Sequence, residues 1–280
     1  MDNEAEYNNS ARVPEASAIM EGWVREASAY RLAADCELDI SYGRTERQKL
    51  DLFRAGDGKG PIGLFIHGGY WQRLDKTVFS HIARGLNGHG ITVAVPSYDL
   101  CPNVSVAMIA NQMRDCAAFL WRRYGRPVIP FGHSAGGHLT AMLIATRWPR
   151  VRRGLPAAMT PAGFAISGLF DLVPLVPTTT NKALGLDEAE AQAISPLFMR
   201  PPPGRTLIAA VGARESDEFR RQSRVIAAVW AAHGVKTRAI EEPGANHFTV
   251  INPLADPASG MTAMLKSLFE PQARRGAAKR

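Results

Sequence analysis

Long apolar runs are what this sequence most plainly lacks. The best candidate in its 280 residues, 139–146, stops at Arg147, far short of the roughly eighteen residues a bilayer-spanning helix needs. A membrane-spanning role is therefore not expected. Cysteine is scarce, with only Cys36, Cys101 and Cys116. An odd number without C-x-x-C spacing argues against a disulfide scaffold and a structural zinc site, so all three read as thiols and no metal or other cofactor is expected. The opening residues, MDNEAEYNNS, lack the basic and then apolar pattern of a secretory signal, which makes the cytoplasm the expected compartment. Charge of one sign is also missing from the body of the chain. The net +7 includes Arg274, Arg275, Lys279 and Arg280 in the last ten residues, which leaves a body of +3. A short basic tail over 271–280 is expected to be a disordered terminus. Without interleaved aromatic and basic residues, no nucleic-acid partner is expected.

What is present is ordinary globular material, with 46% hydrophobic and 21% charged residues, enough to build one large core over 1–270. Apolar β-prone runs alternate with longer amphipathic segments, the mark of βαβ units and a mostly parallel sheet. Eight strands are predicted, over 37–42, 49–54, 62–67, 92–98, 128–131, 163–167, 205–211 and 237–241. The first two are close enough for an antiparallel hairpin. Helices are predicted over 15–32, 76–87, 104–124, 135–147, 216–233 and 257–268, with Gly88, Gly125 and Gly234 as left-handed stops for three of them. The first belongs to an N-terminal helical extension, about 1–35. Residues 171–203 are rich in proline and break the rhythm, and read as a small lid insertion over the C-terminal edge of the sheet, where open α/β folds bind ligands.

Gly132-His133-Ser134-Ala135-Gly136 places a GxSxG pattern between a predicted strand and a predicted helix. In that setting the motif is a sharp turn that lifts the serine hydroxyl above the sheet edge. A serine needs a base to take its proton and a carboxylate to orient the base, in the chain order nucleophile, acid, base. Of the later histidines, His138 lies within the helix after the serine and His233 ends another. His247 sits in the loop after the last strand and is the candidate base. The acid belongs after the penultimate strand, where Glu215 is preferred, with Asp217 as the alternative; Asp217 and Glu218 fall in a first helical turn, where acids complement the dipole. Backbone amides must meet the charge that develops on the carbonyl oxygen. The candidates are Ala135, just after the nucleophile, and Gly68 and Gly69, just after the third strand. Tyr70 and Trp71 beside them are candidate substrate-binding residues, and Arg73 a candidate for a substrate carboxylate.

These residues give the chain a resemblance to the kynurenine formamidase (arylformamidase) branch of the α/β-hydrolases, spanning nearly its whole length. The carriers are Glu6-Tyr7-Asn8-Asn9, HGGYW at 67–71, SYDLCP at 97–102, GHSAGG at 132–137, SGLFDL at 167–172, and Glu215-Ser216-Asp217-Glu218-Phe219 with Gln222. The resemblance implies the α/β-hydrolase fold: an eight-stranded, mostly parallel sheet flanked by helices. It also implies a Ser134, Glu215, His247 triad with an oxyanion hole from Gly68, Gly69 and Ala135. The family commonly carries Asp where this chain has Glu215. The implied reaction is hydrolysis of an aryl formamide, N-formylkynurenine to kynurenine and formate, through a formyl-serine. A carboxylesterase of short acyl esters with the same triad is the main rival, and a catalytically silent binding module is the rival of another class. The expected partner is a small-molecule substrate, with a homodimer left open.

Overall fold

A computed structural model of the chain describes residues 2–151 and 153–270; the basic tail at 271–280 lies outside the described residues. All eight predicted strands form: β1 (Cys36–Ser41), β2 (Lys49–Phe53), β3 (Ile62–Ile66), β4 (Val93–Pro96), β5 (Val128–His133), β6 (Ala162–Ile166), β7 (Thr206–Gly212) and β8 (Lys236–Glu242). They make one sheet in the order β1-β2-β4-β3-β5-β6-β7-β8. β1 and β2 form the expected antiparallel hairpin, and β2 also runs antiparallel to β4. From β4 to β8 every pairing is parallel.

Every residue of β3, β5 and β6 is buried, which is why these strands read as unbroken apolar runs: in a parallel sheet both faces are covered. Along β3, Ile62, Leu64 and Ile66 join one core layer and Phe65 the opposite one, the two-residue period of a strand. The first layer is closed by the helix Val106–Tyr124, through Ile109, Met113 and Leu120. The second is closed by Trp23 from the helix Ala16–Ala33, by Phe79, and by Leu254 and Met261 near the C-terminus. Ser105 caps Val106–Tyr124 by accepting from Met108 N at 3.2 Å, and Gly125 ends it at φ 64°. β8 lies at the sheet edge and carries Lys236, Arg238, Glu241 and Glu242, charges that discourage edge-to-edge pairing.

Three predicted features come out differently. The helix expected over 76–87 is two 3₁₀ turns, Lys76–Val78 and Ser80–Ile82, followed by the short helix Ala83–Asn87. Its first residue is drawn aside: Lys76 Nζ donates to the fully buried Asp51 of β2 at 2.7 Å, and Asp51 also pairs with Arg31 of the N-terminal helix. Gly88 is right-handed, with φ −59°; the left-handed residue of that turn is Gly90, at φ 74°. The helix expected over 257–268 shrinks to Gly260–Lys266, preceded by a 3₁₀ run Thr249–Ala255 that contains Pro253.

Residues 171–203 fold into short helices and turns, among them the helices Asn181–Leu184 and Glu188–Ala193. Leu172, Leu175, Leu184, Ala191 and Ile194 pack into the first core layer beside Leu139 and Trp71. The N-terminal extension crosses the C-terminal side of the sheet and is tied down by distant partners. Tyr7 Oη donates to Glu218 Oε1 at 2.8 Å, and Trp23 Nε1 donates to Asn252 Oδ1 at 3.1 Å. Among the described residues no helix is long and apolar enough to cross a membrane.

Candidate active site

Ser134 sits at the junction of β5 and the helix Ala135–Ala145, with φ 57° and ψ −118°. A non-glycine residue held there costs on the order of 1–3 kcal/mol, which the surrounding packing must offset. The turn is tight enough to dictate its neighbours: a Cβ on Gly136 would lie 1.9 Å from the Ile66 carbonyl oxygen. Only a residue without a side chain lets the helix start this close to β3, and the final glycine of the motif follows from that approach.

The acid and base come from the loops after β7 and β8. His247 Nδ1 lies 2.6 Å from Glu215 Oε2, with both residues buried. The other carboxylate oxygen of Glu215 accepts from Gly212 N at 2.7 Å and from Ser167 Oγ at 2.5 Å. A carboxylate fixed by three donors keeps the proton of His247 on Nδ1 and leaves Nε2 free to accept. The alternative acid is not so placed. Asp217 has an 84% exposed side chain beside Arg220, and Glu218 binds Tyr7, Arg221 and Gln222. The two loops are joined through their backbones, Ala213 N donating to Glu242 O and Arg214 N to Ala245 O, both at 2.9 Å.

The other histidines serve the scaffold. His138 Nε2 meets the Ile194 carbonyl at 2.8 Å, and burial pushes its pKa down to about 4. His133, the residue before the nucleophile, holds the base: its Nε2 meets the backbone carbonyl of His247 at 2.8 Å. Burial first, then the neighbouring His247, keeps His133 far below its ordinary pKa, so it is a neutral donor there. Ser167 and His133 both escaped the sequence reading. Their identity in motif strings was visible, but their partners lie 48 and 114 residues away.

The loop after β3 lies against the nucleophile. A Cβ on Gly68 would fall 3.0 Å from Ser134 Cβ, and Gly69, Tyr70 and Trp71 all have positive φ, 103°, 51° and 57°. This left-handed run turns the backbone across the head of β5, and Ala135 opens the helix on the other side. Tyr70 lines the resulting cleft, its hydroxyl donating to Tyr7 O at 2.6 Å. Trp71, expected beside it, is instead fully buried in the core, edge-on to His138 with ring centroids 5.0 Å apart. It braces the loop rather than facing the cleft.

The cleft has a volume of about 30 Å³. Ser134 and His247 share its lining with Gly68, Gly69, Tyr70 and Arg73, and from the N-terminal extension come Asn9, Met20 and Trp23. The extension was expected merely to precede the sheet; it contributes part of the wall. Among the described residues, no group of three or more His, Cys, Asp and Glu side chains is placed to hold a metal ion.

Over 266 residues the chain is 30% identical to the kynurenine formamidase of Salmo salar, a match covering 90% of this chain and 87% of that one. The chain belongs to the kynurenine formamidase family. The Drosophila melanogaster kynurenine formamidase is 28% identical, over 82% of this chain and 80% of that protein. A solved structure described as a putative thioesterase from Silicibacter sp. is 32% identical, with a TM-score of 0.85 over 95% of this chain and 99% of that one. An esterase from Pyrobaculum calidifontis, 18% identical with a TM-score of 0.70 over 91% and 92% of the two chains, shares the fold. No protein-family model matches the chain. This kynurenine formamidase relative is thus a hydrolase enzyme with the α/β-hydrolase fold.

Proposed function

We propose that the chain hydrolyses an aryl formamide, converting N-formylkynurenine to kynurenine and formate. In this reading His247 Nε2 takes the proton of Ser134 as Oγ attacks the formyl carbon, and the amides of Gly68, Gly69 and Ala135 receive the developing oxyanion. The C–N bond breaks, the proton on His247 passes to the departing arylamine, and a formyl-serine ester remains. Water, deprotonated by the same imidazole, attacks that ester; formate leaves and the hydroxyl of Ser134 is restored.

The observation that carries the reading is the buried Glu215–His247 contact opening onto the cleft that contains Ser134. The cleft is narrow, about 30 Å³, and formyl is the smallest acyl group it could be asked to hold. Similarity to kynurenine formamidases along most of the chain supports the same substrate. The three free thiols support a reducing, cytoplasmic setting.

A second reading, hydrolysis of short-chain esters or thioesters, is favoured by the 32% identical structure described as a putative thioesterase. Parallel rates on N-formylkynurenine and a short-chain aryl ester decide between them. Efficient release of kynurenine supports the first reading, and rapid ester cleavage with N-formylkynurenine left intact overturns it.

A further inference from the structure

The Asn8-Asn9 pair, which marks the family resemblance, also reaches the reaction cleft. Asn8 caps the four-residue helix Asn9–Arg12 by accepting from Ala11 N at 3.2 Å. Asn9 faces inward: it is 5% exposed and lines the same cleft as Ser134 and His247. Its Nδ2 is buried and meets no acceptor among the described residues. Burying an amide donor without a partner costs on the order of 1–3 kcal/mol, and nothing within the fold recovers that cost.

Several other polar groups around the cleft are engaged. Tyr70 Oη donates to Tyr7 O, Trp23 Nε1 to Asn252 Oδ1, and His133 Nε2 meets His247 O. Much of the remaining lining is apolar, from Met20, Leu74, Phe79 and Phe248. Asn9 is also held in place. Two residues before it, Tyr7 donates to Glu218 Oε1 and accepts from Gln222 Nε2 at 2.7 Å, which pins the segment to the start of the helix Asp217–Ala232.

We propose that Asn9 is a specificity-determining residue whose Nδ2 donates to a carbonyl oxygen on the leaving group of the substrate. The inference rests on the formyl-transfer reading. A formyl group carries one oxygen, which the oxyanion amides take, so an acceptor for Asn9 must belong to the amine that departs. N-formylkynurenine offers that acceptor in the ketone beside its ring nitrogen. A site that buries a donor for one acceptor discriminates against analogues lacking it, because the donor is left unpaired.

The test compares substrate pairs that differ in an acetyl carbonyl beside the scissile group: 2-formamidoacetophenone against formanilide, and 2-acetylphenyl acetate against phenyl acetate. In Asn9→Ala, the ratio of kcat/KM within each pair should fall by about tenfold or more in favour of the plain analogue. Asn9→Asp, of nearly the same shape but offering an acceptor, should shift both ratios the same way. Ratios within about twofold of wild type in both variants, whether all rates fall together or none does, overturn the proposal. If the wild-type enzyme cleaves both esters and neither anilide, the formamidase reading falls by itself, and the ester pair still decides the role of Asn9.

Discussion

Replacing Glu215 by glutamine changes one oxygen for an amide nitrogen, and the structure fixes what that does. Three donors converge on the carboxylate: Gly212 N and Ser167 Oγ on Oε1, and His247 Nδ1 on Oε2. A backbone N–H cannot turn away, so the oxygen of the new amide must stay toward Gly212. Its NH₂ then faces His247 Nδ1, which can only accept from it. The imidazole proton is driven to Nε2, the atom that must receive the proton of Ser134. An orienting acid that enforces the wrong tautomer costs about 10⁴ in kcat, or about 5.4 kcal/mol in the barrier. Asp217→Asn, at an exposed side chain, should stay within about twofold. The assay is kcat/KM on N-formylkynurenine and on phenyl acetate, with melting temperatures to show that both variants fold. A Glu215→Gln enzyme within tenfold of wild type, or an Asp217→Asn enzyme more damaged than it, would falsify this assignment of the acid.

Ser134→Ala and His247→Ala should each remove nearly all turnover, and the double variant should be little worse than either, because the members act as a unit; additive losses in a kinetic cycle would contradict this. Gly136→Ala should fail to give a soluble, active protein, since the added Cβ meets the Ile66 carbonyl at 1.9 Å; a wild-type melting temperature with full activity would refute the packing argument. Burial holds His67, His81 and His138 down at about 4. The unfolded chain therefore binds more protons than the fold as pH drops from about 6.5 toward 4, and stability is lost across that window. Melting temperature should be level above that range and decline within it, less steeply in His81→Gln; an unchanged slope in the variant would count against the buried, neutral state of His81.

Much of this was legible because the fold repeats a local pattern. Strands buried on both faces, such as β3 and β5, announce themselves by composition, and the turns that follow β3, β5, β7 and β8 bring their loops to one edge of the sheet by topology alone. Local chemistry also separated Glu215, just after Gly212, from the helix-turn acids that follow it. What could not be read were features set by partners far along the chain. The 76–87 segment has helical periodicity, yet Lys76 answers to Asp51 in β2. Trp71 and Tyr70 are adjacent in a left-handed loop, and the sharp turn sends one into the core and leaves the other at the cleft. The inward face of Asn9 depends on Tyr7 meeting Glu218, 211 residues away.

The seam between the Glu215 and His247 loops has an evolutionary and practical corollary. A Cβ on Gly212 would lie 2.4 Å from the Ala245 carbonyl oxygen, and the hydrogen bonds of Ala213 and Arg214 cross the same gap. Neither loop can gain or lose a residue without dislodging the other. Lengths in this region should drift in concert among descendants, and an engineer transplanting the acid–base pair into another hydrolase must move both segments as one cassette.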